Sequence, residues 1–357
     1  MAEIKYSTLK IEDANTIVPY LQRVLSHAVN KESFIWEFFD NLSVLTIATE
    51  GQKIVGTQSF LFIRILVKNE EVLSSKSETS YLDSDFRGQK IFESLYEFGL
   101  DQCKNQHVQF VWGFTPAAKV WKNNLNFDIV SQCMDETYYE NTDYIDYNLI
   151  KKFSSNSLTY HLKVLKAKLT NIQRRLKEYQ LFKLSDERLV KSEILSDDMD
   201  FSELYTKMKV KFKFSVHLSM TAAYYNWRVI NNPNVKYENY FYHQDQKMVG
   251  YLVFTHSNDT LYLSDISYYS ETTLIKMVSD LKKYMKLKNL KKIYYFGNKL
   301  NNLNKMTFTF LEKLGSRTGV CAWANFVLKD ISDNKKFGDL KTEDIYINGL
   351  WTEGFKM

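Results

Sequence analysis

Proline is nearly absent, with 3 residues, and glycine is sparse, with 12, in a chain of 357. A chain this poor in both has no long Pro- or Gly-rich linkers, and extended disorder is excluded on composition. The three cysteines, Cys103, Cys133 and Cys321, are odd in number, far apart and form no C-x-x-C pair. That argues against a disulfide framework or zinc site and fits a reducing compartment. The six histidines show no H-x-x-x-H spacing, so no metal is expected. No apolar run approaches the roughly 20 residues of a membrane-spanning helix. The N-terminus MAEIKYSTLKIEDANTI carries charge early and has no apolar signal core. A cytoplasmic protein is therefore expected. No G-x-S-x-G occurs, which removes the usual nucleophilic-serine chemistry.

Aromatic side chains, by contrast, are abundant: 24 Tyr and 24 Phe. Apolar and charged fractions are those of a globular protein, and the length predicts about two domains. The net charge of +5 is mild and comes mostly from lysine. It suits small anionic ligands, and nucleic acid is not expected.

The chain is organised around Ser77–Phe98, SETSYLDSDFRGQKIFESLYEF. Thr79, Tyr81 and Leu82 suit a strand, and Asp83-Ser84-Asp85 are turn formers. After Arg87-Gly88-Gln89-Lys90, the apolar Ile91, Leu95 and Phe98 recur at helical spacing. A strand, a polar loop and a helix present unpaired first-turn amides at the positive end of a helix dipole, where phosphate binds readily. Arg87 and Lys90 add positive side chains.

Arg87-Gly88-Gln89 before an apolar helix, after a strand ending at Leu82, resembles the acyl-CoA pyrophosphate loop of the GNAT N-acyltransferases, Q/R-x-x-G-x-G/A. Arg87 takes the first slot, while Lys90 and Phe92 stand in the two glycine slots. The resemblance implies that Tyr81, Leu82, Arg87, Gly88, Gln89, Lys90, Ile91 and Phe92 hold acyl-CoA. It also implies that the pantetheine arm lies between splayed strands Ser77–Leu82 and Val108–Thr115, with Thr115 and Lys122 close to the cofactor.

The preceding residues fit that layout. A short strand (Ile4 to Leu9) precedes an amphipathic helix from about Asp13, then the segment Phe34 to Asn41. The strands VLTIATE and IVGTQSFLF flank a Gly51-Gln52-Lys53 hairpin, and IRILVK reads as a third strand. HVQFVWGFTP is a strand ending at Pro116, Ala117 to Asn124 a short helix, and FDIVSQCMDETYY a closing strand.

The second half echoes the first. Trp36-Glu37-Phe38-Phe39-Asp40-Asn41 finds a counterpart in Trp227-Arg228-Val229-Ile230-Asn231-Asn232. Lys53-Ile54-Val55-Gly56 matches Lys247-Met248-Val249-Gly250, and KIYYFGN matches QFVWGFT. Phe310 to Gly315, FLEKLG, resembles the C-terminal helix ending of the same family. Tyr268 to Ile275 has neither Arg nor Gly, so this copy lacks a phosphate loop. The expected fold is α/β (α+β): a GNAT domain at 1–145, a linker at 146–195 with a long amphipathic helix, and a degenerate GNAT-like domain at 196–357. In the linker, Leu158, Leu162, Leu165, Leu169, Ile172, Leu176 and Tyr179 alternate steps of four and three. Such a narrow seam docks on the body or pairs with another chain, which leaves a homodimer open.

Transfer of an acyl group from a thioester to an amine needs a base, a donor for the developing oxyanion and a leaving thiolate. The resemblance places the oxyanion donor near Leu82. Glu78 lies four residues earlier on the same face of the strand and is the preferred base, with aromatic enclosure expected to raise its pKa. Asp135, Glu136 and a histidine acting through water are the rivals. The family often places a tyrosine as general acid in the following helix. That slot holds Lys122, which could stabilise a thiolate or contact CoA phosphates. Phe34, Trp36 and Glu37 fall where the family recognises its acceptor, although core packing explains the aromatics as well. Tandem members resemble N-acyltransferases of nucleotide-linked amino sugars, such as dTDP-amino-dideoxyhexoses. The expected activity is thus acyl-CoA-dependent N-acylation of such a sugar. The alternatives are a Fem-like aminoacyl-tRNA-dependent transferase and a non-catalytic binding module.

Overall fold

A computed structural model of the chain describes residues 3–25, 29–131, 134–142, 144–185, 188–194, 197–333 and 340–352. Strands β1 (Ile4–Thr8), β2 (Ser43–Glu50), β3 (Lys53–Val67) and β4 (Glu70–Leu82) run antiparallel in sequence order. Helices α1 (Ala14–Val24) and α2 (Lys31–Phe38) lie between β1 and β2 in the chain. After β4 come α3 (Ile91–Asn105), β5 (Phe110–Thr115), α4 (Ala118–Leu125), β6 (Asp128–Ser131) and β7 (Met134–Glu140).

IVGTQSFLF and IRILVK, expected as two strands, form the single β3. Every residue from Val55 to Ile63 is buried, so both faces of the strand are covered and nothing interrupts it. The turn falls at Lys68-Asn69, whose φ angles of 50° and 75° make a tight two-residue hairpin without glycine. Gly99 lets α3 lie directly on β3: a Cβ there would come within 2.2 Å of the Phe60 ring.

The linker holds α5 (Tyr147–Lys152) and α6 (Ser157–Phe182), followed by β8 (Val190–Ser192), α7 (Asp198–Phe212), β9 (Val216–Leu218) and α8 (Ala222–Tyr225). A single π-turn at Asn226–Ile230 extends α8. The second half continues with β10 (Glu238–Gln244), β11 (Lys247–Ser257), β12 (Thr260–Tyr268), α9 (Glu271–Leu287), β13 (Lys292–Gly297), α10 (Asn302–Lys313), β14 (Arg317–Cys321) and β15 (Asn325–Asp330).

The two sheets exchange a strand. β7 pairs antiparallel with β13 and β14 in the second sheet, while β15 sits between β5 and β6 in the first. The first sheet also takes β9, which pairs antiparallel with the end of β3, so it holds two strands from the second sequence half and the second sheet holds one from the first. The single closing strand expected through FDIVSQCMDETYY is therefore two strands, β6 and β7, that serve different sheets. Cys133, between them, lies outside the described residues. The exchange also carries Asp135 and Glu136 away from the first sheet. Asp135 Oδ2 accepts from the Lys299 amide at 2.9 Å, and Glu136 Oε2 from the Tyr294 hydroxyl at 3.0 Å.

Helix α6 is as long as the heptad spacing implies, but its apolar seam does not dock on the body. The half-buried stripe is Tyr160, Val164, Ala167, Asn171, Arg174 and Leu181, with Glu178 fully buried beside Tyr139, Thr142 and Lys282. Arg174 Nε donates to the Leu314 carbonyl at 3.1 Å, and Asn171 Nδ2 to that of Tyr144 at 3.1 Å. A mixed face, with these polar contacts among apolar side chains, anchors this helix.

Candidate active site

β4 and β5 pair in parallel only at Ser74–Phe110, Ser75–Val111 and Lys76–Trp112. Beyond Lys76 they part, although β15 follows β5 on its other edge through to Thr115. The expected splay between Ser77–Leu82 and the end of β5 is therefore present. Its cause is a bulge in β4: Ser59 faces Glu78 but Thr57 faces Tyr81, so β4 carries one residue more than β3 there. Thr79 takes φ 46°, a costly setting for a β-branched residue.

Gln58 fastens the bulge. Its fully buried amide donates to Ser77 Oγ at 2.8 Å, to Ser59 O at 2.7 Å and to Glu78 O at 3.3 Å, and its carbonyl accepts from Ser80 Oγ. Past the bulge, Asp83 donates its amide to Val55 O at 2.8 Å on β3. Alternation along the strand turns the Leu82 N–H to the opposite edge, where β5 has left.

The loop after Leu82 is a short turn at Ser84–Phe86, then Gly88 at φ 77° and Lys90 at φ 59°. Lys90 caps α3 in the left-handed region, and no side chain caps the helix, so its first-turn amides are open. Lys90 thus assumes in its glycine slot a conformation that glycine adopts freely. Arg87 is exposed; its Nε donates to Leu82 O at 3.2 Å and its guanidinium lies 6.0 Å from the Tyr81 ring centre. A pocket of about 300 Å³ lies here, lined by Ser80, Tyr81, Leu82, Arg87, Gly88, Lys90, Ile91, Phe92 and Glu93. Uncapped amides and two cations beside a pocket suit a diphosphate.

Other expected residues lie elsewhere. Gln89 points back along the loop, its Nε2 donating to Asp85 O at 2.9 Å. Thr115 Oγ1 accepts from the Ala117 amide at 3.0 Å, and its carbonyl from Asn325 Nδ2 at 2.8 Å. Lys122 is exposed on α4. Neither Thr115 nor Lys122 lines the pocket. Phe34 is a core residue packed on Phe38 and Phe39 at 5.2 and 5.8 Å between ring centres.

The surroundings of Glu78 differ from the aromatic enclosure expected. Its carboxylate is buried and ion-paired with the ammonium of Lys76, two residues earlier on the same face of β4. Facing it across the boundary between the halves is Arg228, 1% exposed, in the π-turn. Burial penalises that guanidinium, while Tyr224, Tyr237, Glu37 and Glu78 favour its charged form and hold its pKa above the usual arginine value. Arg228 Nη2 donates to the Thr352 carbonyl, while Nε and Nη1 have no hydrogen-bond partner among the described residues. Trp36 stacks on Trp227 beside this cluster. Reading the sequence missed Lys76, Gln58 and Arg228. The repeat that aligns Glu37 with Arg228 was the one available signal, since it puts opposite charges at matching positions.

Near the loop, Tyr20 of α1 donates to Asp83 Oδ1 at 3.5 Å, and burial together with that carboxylate pushes its phenol pKa up. No group of three or more His, Cys, Asp or Glu among the described residues could hold a metal, and no helix among them is long and apolar enough to cross a membrane.

No protein-family model and no curated protein matches the sequence. Solved structures do match in fold. A GCN5-related N-acetyltransferase from Anabaena variabilis superposes with a TM-score of 0.62 at 12% identity, over 93% of this chain and 74% of its own. One from Kribbella flavida gives 0.61 at 9% identity, over 93% and 72%. Saccharomyces cerevisiae N-myristoyltransferase, solved with myristoyl-CoA bound, gives 0.56 at 12% identity, over 92% and 83%. The fold of this chain is that of the GCN5-related N-acetyltransferases.

Proposed function

We propose that this protein is an N-acyltransferase that moves an acyl group from acyl-CoA to the amine of a nucleotide-linked amino sugar. The observation that carries the reading is the parting of β4 and β5 directly above a loop of uncapped helix amides. The diphosphate lies on those amides with Arg87 and Lys90 beside it. The pantetheine arm runs into the gap between the strands, so that the thioester carbonyl reaches the Leu82 N–H.

The acceptor amine attacks the carbonyl carbon, and the new C–N bond forms as the carbonyl oxygen gains negative charge opposite Leu82. Glu78 takes the ammonium proton, after which the C–S bond breaks and CoA leaves as a thiolate. A base held in an ion pair must release its partner before it accepts a proton. Lys76 therefore moves away from Glu78 as the amine arrives, or takes part in the relay. The acceptor enters between the halves, where Trp36, Glu37, Trp227 and Arg228 meet. Aromatic faces there suit a sugar or base ring, and Glu37 suits an ammonium. The second half supplies acceptor contacts and binds no CoA.

The test is a thiol-release assay with several acyl-CoAs against a panel of nucleotide amino sugars. Turnover with a dTDP-amino-dideoxyhexose is the expected result. Release that depends on some other amine would keep the transferase and remove the sugar. No CoA binding by isothermal titration would remove both, and salt-sensitive tRNA binding in its place would favour aminoacyl-tRNA as donor.

A further inference from the structure

The apolar seam of α6 is exposed along its whole length. Leu158 is 69% accessible, Ile172 52%, and Leu162, Leu165, Leu169, Leu176 and Tyr179 fall between. The helix spans 26 residues, about 39 Å at 1.5 Å per residue. Its anchoring stripe, Tyr160 to Leu181, lies on the opposite side, so the body holds the helix with the seam turned outward.

We infer that α6 pairs with α6 of a second copy as a parallel two-stranded coiled coil. Apolar residues at two positions per heptad form the narrow strip that knobs-into-holes packing buries; a helix lying in a membrane surface presents a broader face. An identical strip satisfies each knob and hole. The strip gives each copy a face on the order of the roughly 800 Å² of a standard interface.

The flanking residues choose the direction. In a parallel pair His161 meets Lys166, Lys168 meets Gln173 and Arg175 meets Gln180 of the other copy. No two Lys or Arg residues face each other. Arg175 is in any case turned to the body, donating to Thr142 O at 3.2 Å. The antiparallel arrangement with the same overlap sets Lys168 against its own counterpart.

Light scattering coupled to size exclusion tests this on the full chain. The expected mass is twice the 42.2 kDa of one chain. The variant Leu165→Glu, Leu169→Glu halves that mass without loss of helical circular dichroism, because both residues are exposed in the single chain. Leu176→Cys links to its own counterpart on mild oxidation where the parent chain does not. A parent chain that remains at 42.2 kDa throughout the micromolar range overturns the pairing, and so does a double variant that stays dimeric. Linking only between Leu162→Cys and Ile172→Cys chains overturns the parallel direction. None of these readings depends on acyl-CoA turnover.

Discussion

Trp36 and Trp227, at matching positions in the two halves, stack with ring centres 5.3 Å apart and 26° between planes, and Trp227 Nε1 donates to Trp36 O at 3.2 Å. The pair fastens the halves at the point where the acceptor is proposed to enter. Trp227→Ala should cost about 3 kcal/mol in urea unfolding, the lower end for losing a large aromatic contact because Trp227 is only half-buried. Unfolding should remain one transition, since the exchanged strands β7 and β15 prevent either sheet from melting alone. A loss below about 1 kcal/mol would show that the strand exchange alone holds the halves.

Arg87 touches the pocket with an exposed guanidinium, so its removal leaves the fold intact. Arg87→Ala should raise KM for acyl-CoA about tenfold and leave the acceptor KM alone, the loss of one charge-assisted phosphate contact. Unchanged steady-state kinetics would reject the loop as the diphosphate site.

Glu78→Gln keeps the shape and removes the base. A kcat about 10²-fold lower is expected, with little change in either KM. Lys76→Met separates the roles: if the ion pair holds Glu78 in place, both variants lower kcat, whereas a faster Lys76→Met would mean that the pair restrains the base.

Lys90 sits at φ 59° where glycine is unstrained. Lys90→Gly should therefore stabilise the protein by about 0.5–1 kcal/mol, relief of left-handed strain less the entropy glycine loses. Denaturant midpoints measure this. A weaker CoA affinity in the same variant would show that the Lys90 ammonium contributes to the diphosphate contact.

Two buried groups in the second half titrate in opposite senses. His217 is stacked on Tyr205 at 4.4 Å, and burial lowers its pKa to about 3. The unfolded chain binds its proton first, so the stability from His217 is present above about pH 6.5 and is lost as pH falls toward 3. Asp265 accepts from Tyr251 at 2.7 Å and from Tyr346 and Ser267 at 2.9 Å, and burial raises its pKa to about 6. The folded state holds that proton more tightly, so the Asp265 contribution is present below about pH 4 and is lost as pH rises through 6. Between pH 4 and 6 Asp265→Asn should show a steeper gain of stability with pH than the parent, and His217→Phe a shallower one. Parallel slopes in urea titrations of parent and variants would contradict both assignments.

Much of the fold was legible because it is local. The hairpin at Gly51, the loop from Asp83 to Lys90 and the helix from Ile91 follow from turn chemistry and a change of period within a few residues. A turn was legible after IRILVK, and it falls at Lys68-Asn69 although it reaches positive φ without glycine; that IVGTQSFLF and IRILVK run on as one strand was not. The heptad of α6 was plain in the sequence, but which face meets the body was not. Asn171, Arg174 and Glu178 anchor through single hydrogen bonds and an ion pair that no periodicity reports.

The sequence by itself determined the loop, the repeated layout and the seam, since each arises from residues close in the chain. Only the tertiary structure decided that β7 and β15 change places, that Lys76 pairs with Glu78, and that Arg228 arrives from the other half. Strand partners and buried charges are chosen by which distant segments satisfy one another's hydrogen bonds and charge. That choice is made only when the chain closes on itself.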